Sequence, residues 1–159
     1  MIEFKLENGF KIDLEKSDKV FTPTGTTETI IEGILENNKE KRTTLDLGCG
    51  CGVIGLSLFK SGLIKEPLYA SDVSDDAVKN IKLNAGKIGC EISAIKSNLF
   101  SAWKGKKFET IVCDVSSISD EVAKISPWFS SVECETGLGG DKLINEVFKN
   151  VGTYAEKNC

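Results

Sequence analysis

Residues 45 to 55 read Leu45-Asp46-Leu47-Gly48-Cys49-Gly50-Cys51-Gly52-Val53-Ile54-Gly55, an apolar stretch that runs through closely spaced glycines into a second apolar stretch. Side chains have been pared away where a buried strand would turn into a helix, so a ligand can approach the backbone there. The loop amides and the helix N-terminus suit a carboxylate or phosphate, with a dipole contribution of roughly 0.3 to 1 kcal/mol. This does not choose the ligand, but it commits the chain to a strand-turn-helix unit.

The rest of the sequence repeats that unit. Strands are expected at Thr44 to Leu47, Pro67 to Ala70, Ile92 to Ile95 and Phe108 to Cys113, with helices at Gly52 to Lys60 and Asp75 to Ala85. Such alternation implies an α/β fold with a parallel sheet and right-handed crossovers. Ahead of it, Ile2, Phe4 and Leu6 alternate, as do Phe10, Ile12 and Leu14. They flank Asn8-Gly9, the pair suited to a two-residue type I′ hairpin turn. Thr24 to Thr27 offer hydroxyl caps to a helix whose apolar face is Ile30, Ile31, Ile34 and Leu35. After Cys113 the pattern loosens through Ser126-Pro127-Trp128. A last helix, from about Asp141 to Tyr154, is expected to bury Leu143, Ile144, Val147 and Phe148. A doubly wound sheet would continue with another strand, so the fold reads as short at its C-terminal end. An open sheet edge there would invite pairing with a second copy.

At 159 residues, 40% hydrophobic, the chain can close one core, and a single domain over 1–159 is expected, with a hairpin at 1–16 and the core at 17–159. Twenty basic against 24 acidic residues give a net charge of −4, which disfavours a nucleic-acid partner. The absence of histidine removes imidazole bases, Ser-His-Asp nucleophiles and H-E-x-x-H zinc sites. Six cysteines without paired C-x-x-C spacing read as free thiols, and the Cys49-x-Cys51 pair alone makes no metal site. No run has the length of a signal peptide core or a membrane span, so a cytoplasmic protein is expected.

Gly50-Cys51-Gly52-Val53-Ile54-Gly55 fits the G-x-G-x-x-G fingerprint of dinucleotide sites, but a lone match is weak. Asp46 argues against it, because an acid at that position repels a pyrophosphate and favours a cation. The plain alternative is a tight turn that the Asp braces. Asp72 ends a strand twenty residues after Gly52, where a carboxylate can accept both hydroxyls of a ribose lying across the strand ends. Ser74 or Asp75 reads as the cap of the next helix.

From Val20 to about Tyr154 the chain resembles the HemK-like branch of class I methyltransferases, the group that includes release-factor glutamine methyltransferases. The segment Val20 to Glu28 looks like the family's lead-in to its first helix. Asp46 to Gly52 looks like motif I, and Ala70-Ser71-Asp72-Val73-Ser74 like motif II. The helix carrying Ala77, Asn84 and Ala85 is similar too, and Ser97-Asn98-Leu99-Phe100 matches the segment that holds the adenine, with Asn98 in place of the acid. The resemblance implies a Rossmann-like doubly wound, mostly parallel sheet that binds S-adenosyl-L-methionine. It implies a cofactor site built from Asp46, Leu47, Gly48, Cys49, Gly50, Gly52, Asp72, Val73, Asn98 and Leu99.

Asp114, Val115, Ser116 and Ser117 stand where the family has Asn-Pro-Pro-Tyr, a motif that grips a planar amide or amine. Asp114 keeps one acceptor, and it could orient or deprotonate a hydroxyl or amine, or simply cap the segment beginning near Ser119. Ser116 and Ser117 could add hydrogen bonds or shape the loop. Trp128 and Phe129 could cover the acceptor or pack beneath a loop, and Lys104, Lys106 and Lys107 read as a solvated turn. The expected function is methyl transfer to an oxygen or nitrogen of a small-molecule or protein acceptor. The alternative is a degenerate or truncated domain of this type acting as a binding or partner subunit.

Overall fold

The computed structural model of the chain describes residues 1–127, 129, 132 and 138–159. Trp128 and Cys134 therefore lie outside the described residues. Four parallel strands form the central sheet in the order β5-β4-β3-β6: β3 (Thr44–Leu47), β4 (Leu68–Asp72), β5 (Ile92–Lys96) and β6 (Thr110–Cys113). Alternation along each strand decides which layer a side chain joins. Leu68, Ala70, Ala94 and Val112 share a layer with Ile31 of α1 (Gly25–Asn37), Leu56 of α2 (Val53–Lys60) and Ile81 of α3 (Asp75–Ile88). Leu45, Leu47, Tyr69, Ile111 and Cys113 face the opposite layer, built from Phe100, Trp103, Phe108 and α5 (Lys142–Tyr154). With both faces covered, β3 is buried along its whole length, as a central parallel strand should be.

The second layer is aromatic. Trp103 and Phe108 pack edge-on with centroids 5.6 Å apart, Tyr69 completes the group, and Phe100 stacks on Tyr154 at 4.5 Å. The Trp103 indole N–H donates to Ser71 Oγ at 3.0 Å, so its one polar atom is not left bare in the core. Lys106, expected in a solvated turn, places its ammonium 3.7 Å from the Tyr69 ring centroid.

The N-terminal ribbon pairs β1 (Ile2–Lys5) with β2 (Lys11–Leu14) and buries Leu6, Ile12 and Leu14 in the first layer. Its turn differs from the expected one. Leu6 N–H donates to Phe10 O and Gly9 N–H to Leu6 O, which makes Glu7-Asn8-Gly9 a three-residue loop. Only Gly9 there adopts a positive φ, +86°, whereas a type I′ turn needs two such residues. The in-register alternation of the two strands is kept by moving the glycine to the last loop position.

Two asparagines of α3 fasten this ribbon to the sheet. Asn84 accepts Glu15 N–H at 2.8 Å and donates to the carbonyls of Glu15 and Cys51, while Asn80 accepts Ser17 N–H at 2.9 Å. Both are buried.

Three further differences have local causes. A short helix α4 (Asp120–Ile125) starts at Ser119, whose hydroxyl accepts Val122 N–H; it buries no residue, so it leaves no apolar stripe to read in the sequence. Phe148 is 71% exposed and does not belong to the buried face of α5, since Val147, Val151 and Tyr154 form the line turned to the sheet. After α5 the chain returns to the sheet: Phe108 N–H donates to Tyr154 O and Glu156 N–H to Phe108 O, so Ala155 occupies the edge beside Phe108. Beyond that bridge, the outer edge of β6 carries no strand among the described residues. No helix among the described residues is long and apolar enough to cross a membrane.

Candidate functional site

Strand order reverses at β3, because β4 and β5 lie on one side of it and β6 on the other. A crevice at the carboxyl ends of the strands follows from that reversal. It holds a cavity of about 740 Å³, bounded by the loop after β3, the end of β4, the turn after β5, the segment after β6 and the lead-in to α1. Asp46, Leu47, Gly48, Cys49, Gly50, Asp72, Val73, Asn98, Leu99 and Asp114 all stand on its wall. Gly52 does not. A methyl group at Gly52 would meet Ile81 Cγ1 at 2.5 Å, so this glycine serves the contact between the loop and α3. At Gly50 the same methyl group would touch only Val20, at 3.8 Å, which leaves the backbone open on the cavity side.

The loop amides are used inside the loop. Gly48 and Cys49 N–H donate to Ser71 O, Gly52 N–H to Cys49 O, and Gly50 N–H to Asp72 Oδ2 at 2.9 Å. The anion-binding capacity expected of this turn is to that extent already spent. The second Asp72 oxygen accepts Ser74 N–H, also at 2.9 Å. A carboxylate offers about four acceptor positions, so two amide bonds fix its plane at the end of β4 without exhausting it.

Asp46 is 2% exposed on the face of β3 turned to α2, and its Oδ2 accepts Gly55 N–H at 2.9 Å. The bracing expected as the plain alternative is thus present. Burial pushes its carboxyl up to about 7; the Gly55 amide pulls the other way, and the charges of Asp72 and Asp114 add to the rise. Cys49 and Cys51, beside it, are buried neutral thiols, Cys51 being raised to about 11 chiefly by burial. The cysteines of the described residues are free thiols.

After β5, Ser97 builds a turn by donating to Leu99 O at 2.6 Å and accepting Ala102 N–H at 3.1 Å. Leu99 sits at φ +46°, a left-handed conformation that a branched side chain adopts only at a cost of roughly 1–3 kcal/mol. Asn98 projects from this turn, exposed on the cavity wall.

Across the cavity, Asp114 Oδ2 accepts the Thr27 hydroxyl at 2.6 Å. Thr27 Oγ1 in turn accepts Thr24 N–H at 3.2 Å, so one hydroxyl both caps α1 and orients Asp114. Asp114 is therefore not the cap of the following helix, since Ser119 fills that position. Ser116 Oγ is enclosed and has no hydrogen-bond partner among the described residues. Sequence reasoning missed Thr27 and Phe21 as parts of this wall. The threonine-rich capping segment was the available signal for the first, and a lone aromatic gave none for the second.

Among the described residues the charged groups on the wall are three carboxylates, Asp46, Asp72 and Asp114, and one ammonium, Lys19, which pairs with Asp76 at 3.6 Å. Such a wall favours a cationic ligand and opposes a diphosphate.

The family model described as "Methyltransferase small domain" matches residues 22–115. A release factor glutamine methyltransferase of Aquifex aeolicus is 35% identical over 146 residues, covering 87% of this chain and 50% of that protein. The protein arginine N-methyltransferase 6 of Danio rerio is 33% identical over 105 residues, covering 64% of this chain and 30% of its own length. The chain thus spans half or less of these relatives. Among solved structures, a 16S rRNA N2 G1207 methyltransferase of T. Thermophilus, in complex with AdoMet and guanosine, superposes with a TM-score of 0.62. It covers 91% of this chain and 44% of its own at 16% identity, which shows a shared fold.

Proposed function

The chain belongs to the methyltransferase small domain family, on the HemK-like branch of class I methyltransferases, and we propose that it binds S-adenosyl-L-methionine and transfers its methyl group. The observation that carries this reading is the meeting of three carboxylates at a glycine loop in which the amides of Gly48, Cys49, Gly50 and Gly52 are already spent. A nicotinamide dinucleotide would set its diphosphate against that wall, whereas an ammonium and a sulfonium match it.

The cavity fits this cofactor in three respects. Asp72 at the end of β4 is held by two amides and keeps acceptor capacity for vicinal hydroxyls. Asn98 and Leu99 frame the flank of the cavity after β5, the place for the base. Asp46 and the open backbone at Gly50 flank the place for the amino-acid end. Bound there, the cofactor supplies a methyl group that its own positive sulfur activates, so the protein needs no nucleophile. The protein's part is to hold the acceptor in line and keep water out. Asp114, fixed by Thr27, faces the acceptor, a small molecule or a protein, and residues 1–159 act as one domain with the hairpin tied on by Asn80 and Asn84.

Calorimetric titration with S-adenosylmethionine, S-adenosylhomocysteine and NAD tests the reading. Micromolar affinity for the two adenosyl ligands and none for NAD is the expected result. A folded chain that binds NAD, or binds none of the three, would overturn it.

A further inference from the structure

The side of the cavity that carries Asp114 has a wall of different chemistry. Val20 lies against Gly50, Thr27 lies against Asp114, and between them in sequence Phe21 sets its ring 5.1 Å from that of Phe129, tilted by 38°. Both rings stand on the cavity wall together with Val115, Ile118 and Val132. Asp114 is the carboxylate of this side; Thr27 holds its Oδ2, and its Oδ1 accepts no hydrogen bond among the described residues. Ser116 Oγ is enclosed without a hydrogen-bond partner among the described residues, and Thr24, Thr26 and Ser117 are further hydroxyl residues on the wall.

We propose, on the basis of the methyl-transfer reading above, that this side is an acceptor subsite for a cationic side-chain nitrogen, an alkylamine or guanidine of a protein or peptide. An ionised carboxylate only accepts hydrogen bonds, and a pair of ring faces attracts positive charge. Together they satisfy a group that is all donor. A carboxamide would bring a carbonyl oxygen that needs a donor, which Asp114 is not and which Thr27, already donating to Asp114, does not supply. A carbonyl that turns to Asp114 and the rings goes unpaired, which weakens binding of the amide relative to the cation.

The chemistry balances with the groups present. The bound cation gives up one proton, to Asp114 and from there to water, which frees the nitrogen lone pair. That pair forms the new nitrogen–carbon bond as the carbon–sulfur bond breaks, its electrons staying on sulfur. Positive charge passes from sulfur to nitrogen, and the product nitrogen is again a cation facing Asp114. One proton is released per turn.

The test uses the full chain and blocked pentapeptides that differ only in a central lysine, arginine or glutamine, titrated calorimetrically with saturating S-adenosylhomocysteine. Affinity for the lysine or arginine peptide at least tenfold above that for the glutamine peptide is expected, and the better of the two names the acceptor group. Asp114→Asn, which keeps an oxygen for Thr27, should lower that affinity at least tenfold while S-adenosylhomocysteine binds within about threefold of wild type. Phe129→Leu should lower it less. S-adenosylhomocysteine bound normally with glutamine preferred, with no peptide bound, or with Asp114→Asn indifferent would overturn the acceptor assignment and leave the cofactor reading intact. Failure to bind S-adenosylhomocysteine at all would overturn both.

Discussion

Asp46 Oδ2 lies 2.9 Å from the amide nitrogen of Gly55, so one buried carboxylate on β3 holds the first turn of α2 in place. A methyl group at Gly55 would come within 2.8 Å of that oxygen and 2.9 Å of Leu68, which explains why position 55 is glycine. The last glycine of the apparent dinucleotide fingerprint is thus a packing residue.

This carboxylate makes stability depend on pH. Its folded value, about 7, is above its ordinary 3.8, so between those values the folded chain keeps a proton that the unfolded chain has lost. The stabilisation is complete below 3.8, falls as pH rises, and is gone above about 7. Asp46→Asn, which still accepts from Gly55, should remove this dependence. Urea denaturation from pH 4 to 8 should show the variant gaining on wild type by up to roughly 1.4 kcal/mol per pH unit inside the window. Parallel curves for the two proteins would refute the assignment.

A cation binding beside Asp46 should drive off the proton it holds. S-adenosylmethionine is therefore expected to bind more tightly as pH rises through 7, with proton release visible as a dependence of the binding enthalpy on the buffer. In Asp46→Asn that dependence should shrink. A wild-type enthalpy that is the same in buffers of different ionisation heat would count against Asp46 facing the cation.

Asp72→Ala removes the acceptor at the end of β4 and also frees the amides of Gly50 and Ser74. A lost hydrogen bond to a charged group is worth roughly 1.5–3 kcal/mol, so adenosyl-ligand affinity should fall by about one to two decades. Asp72→Asn separates the two effects, because one of its two atoms still accepts an amide. Unchanged affinity in both variants would mean that no hydroxyl pair is held there.

Much of this was written in the sequence, and what was not has physical reasons. The strand-glycine-helix unit is read from local pattern because β3 is buried on both faces and Asp46 interrupts its apolar run. The place of Asp72 on the cavity wall was legible because it ends a strand, and the crevice of this architecture lies at strand ends. Thr27 was not, since its partner Asp114 is 87 positions away and only the folded chain brings them together. Phe148 was misassigned because a helical face drawn from apolar residues alone cannot tell the side turned to the sheet from the side beyond it. Gly52 was given to the ligand because a glycine that admits a ligand and one that admits Ile81 look alike in sequence.

Asn84→Ala should loosen the ribbon and the glycine loop together, since one amide holds Glu15 on one side and Cys51 on the other. With three bonds lost and buried partners left unpaired, a loss of about 2–4 kcal/mol is expected from urea denaturation. Asn80→Ala touches only the ribbon and should cost less. If cofactor affinity drops in Asn84→Ala and holds in Asn80→Ala, the bond to Cys51 is what shapes the loop; equal effects would refute that division.

Gly140, Gly62 and Gly105 share a φ of +77°, yet their surroundings differ. A methyl group at Gly62 or Gly105 would meet nothing within 4 Å, whereas at Gly140 it would come within 2.6–2.8 Å of the backbone of Ser117, Ile118 and Ser119. Alanine at Gly62 or Gly105 therefore costs only the left-handed strain, about 1–2 kcal/mol. At Gly140 it must also push the segment after Asp114 away from the start of α5, and backbone cannot swing aside as a side-chain tip can. Gly140→Ala should lower the melting temperature well beyond the two controls, at roughly 2–4 °C per kcal/mol for a chain of this length. It should also weaken ligands that reach Asp114 more than those that reach only Asp72. Equal melting temperatures for the three variants would show that residues 117–119 do not rest on Gly140.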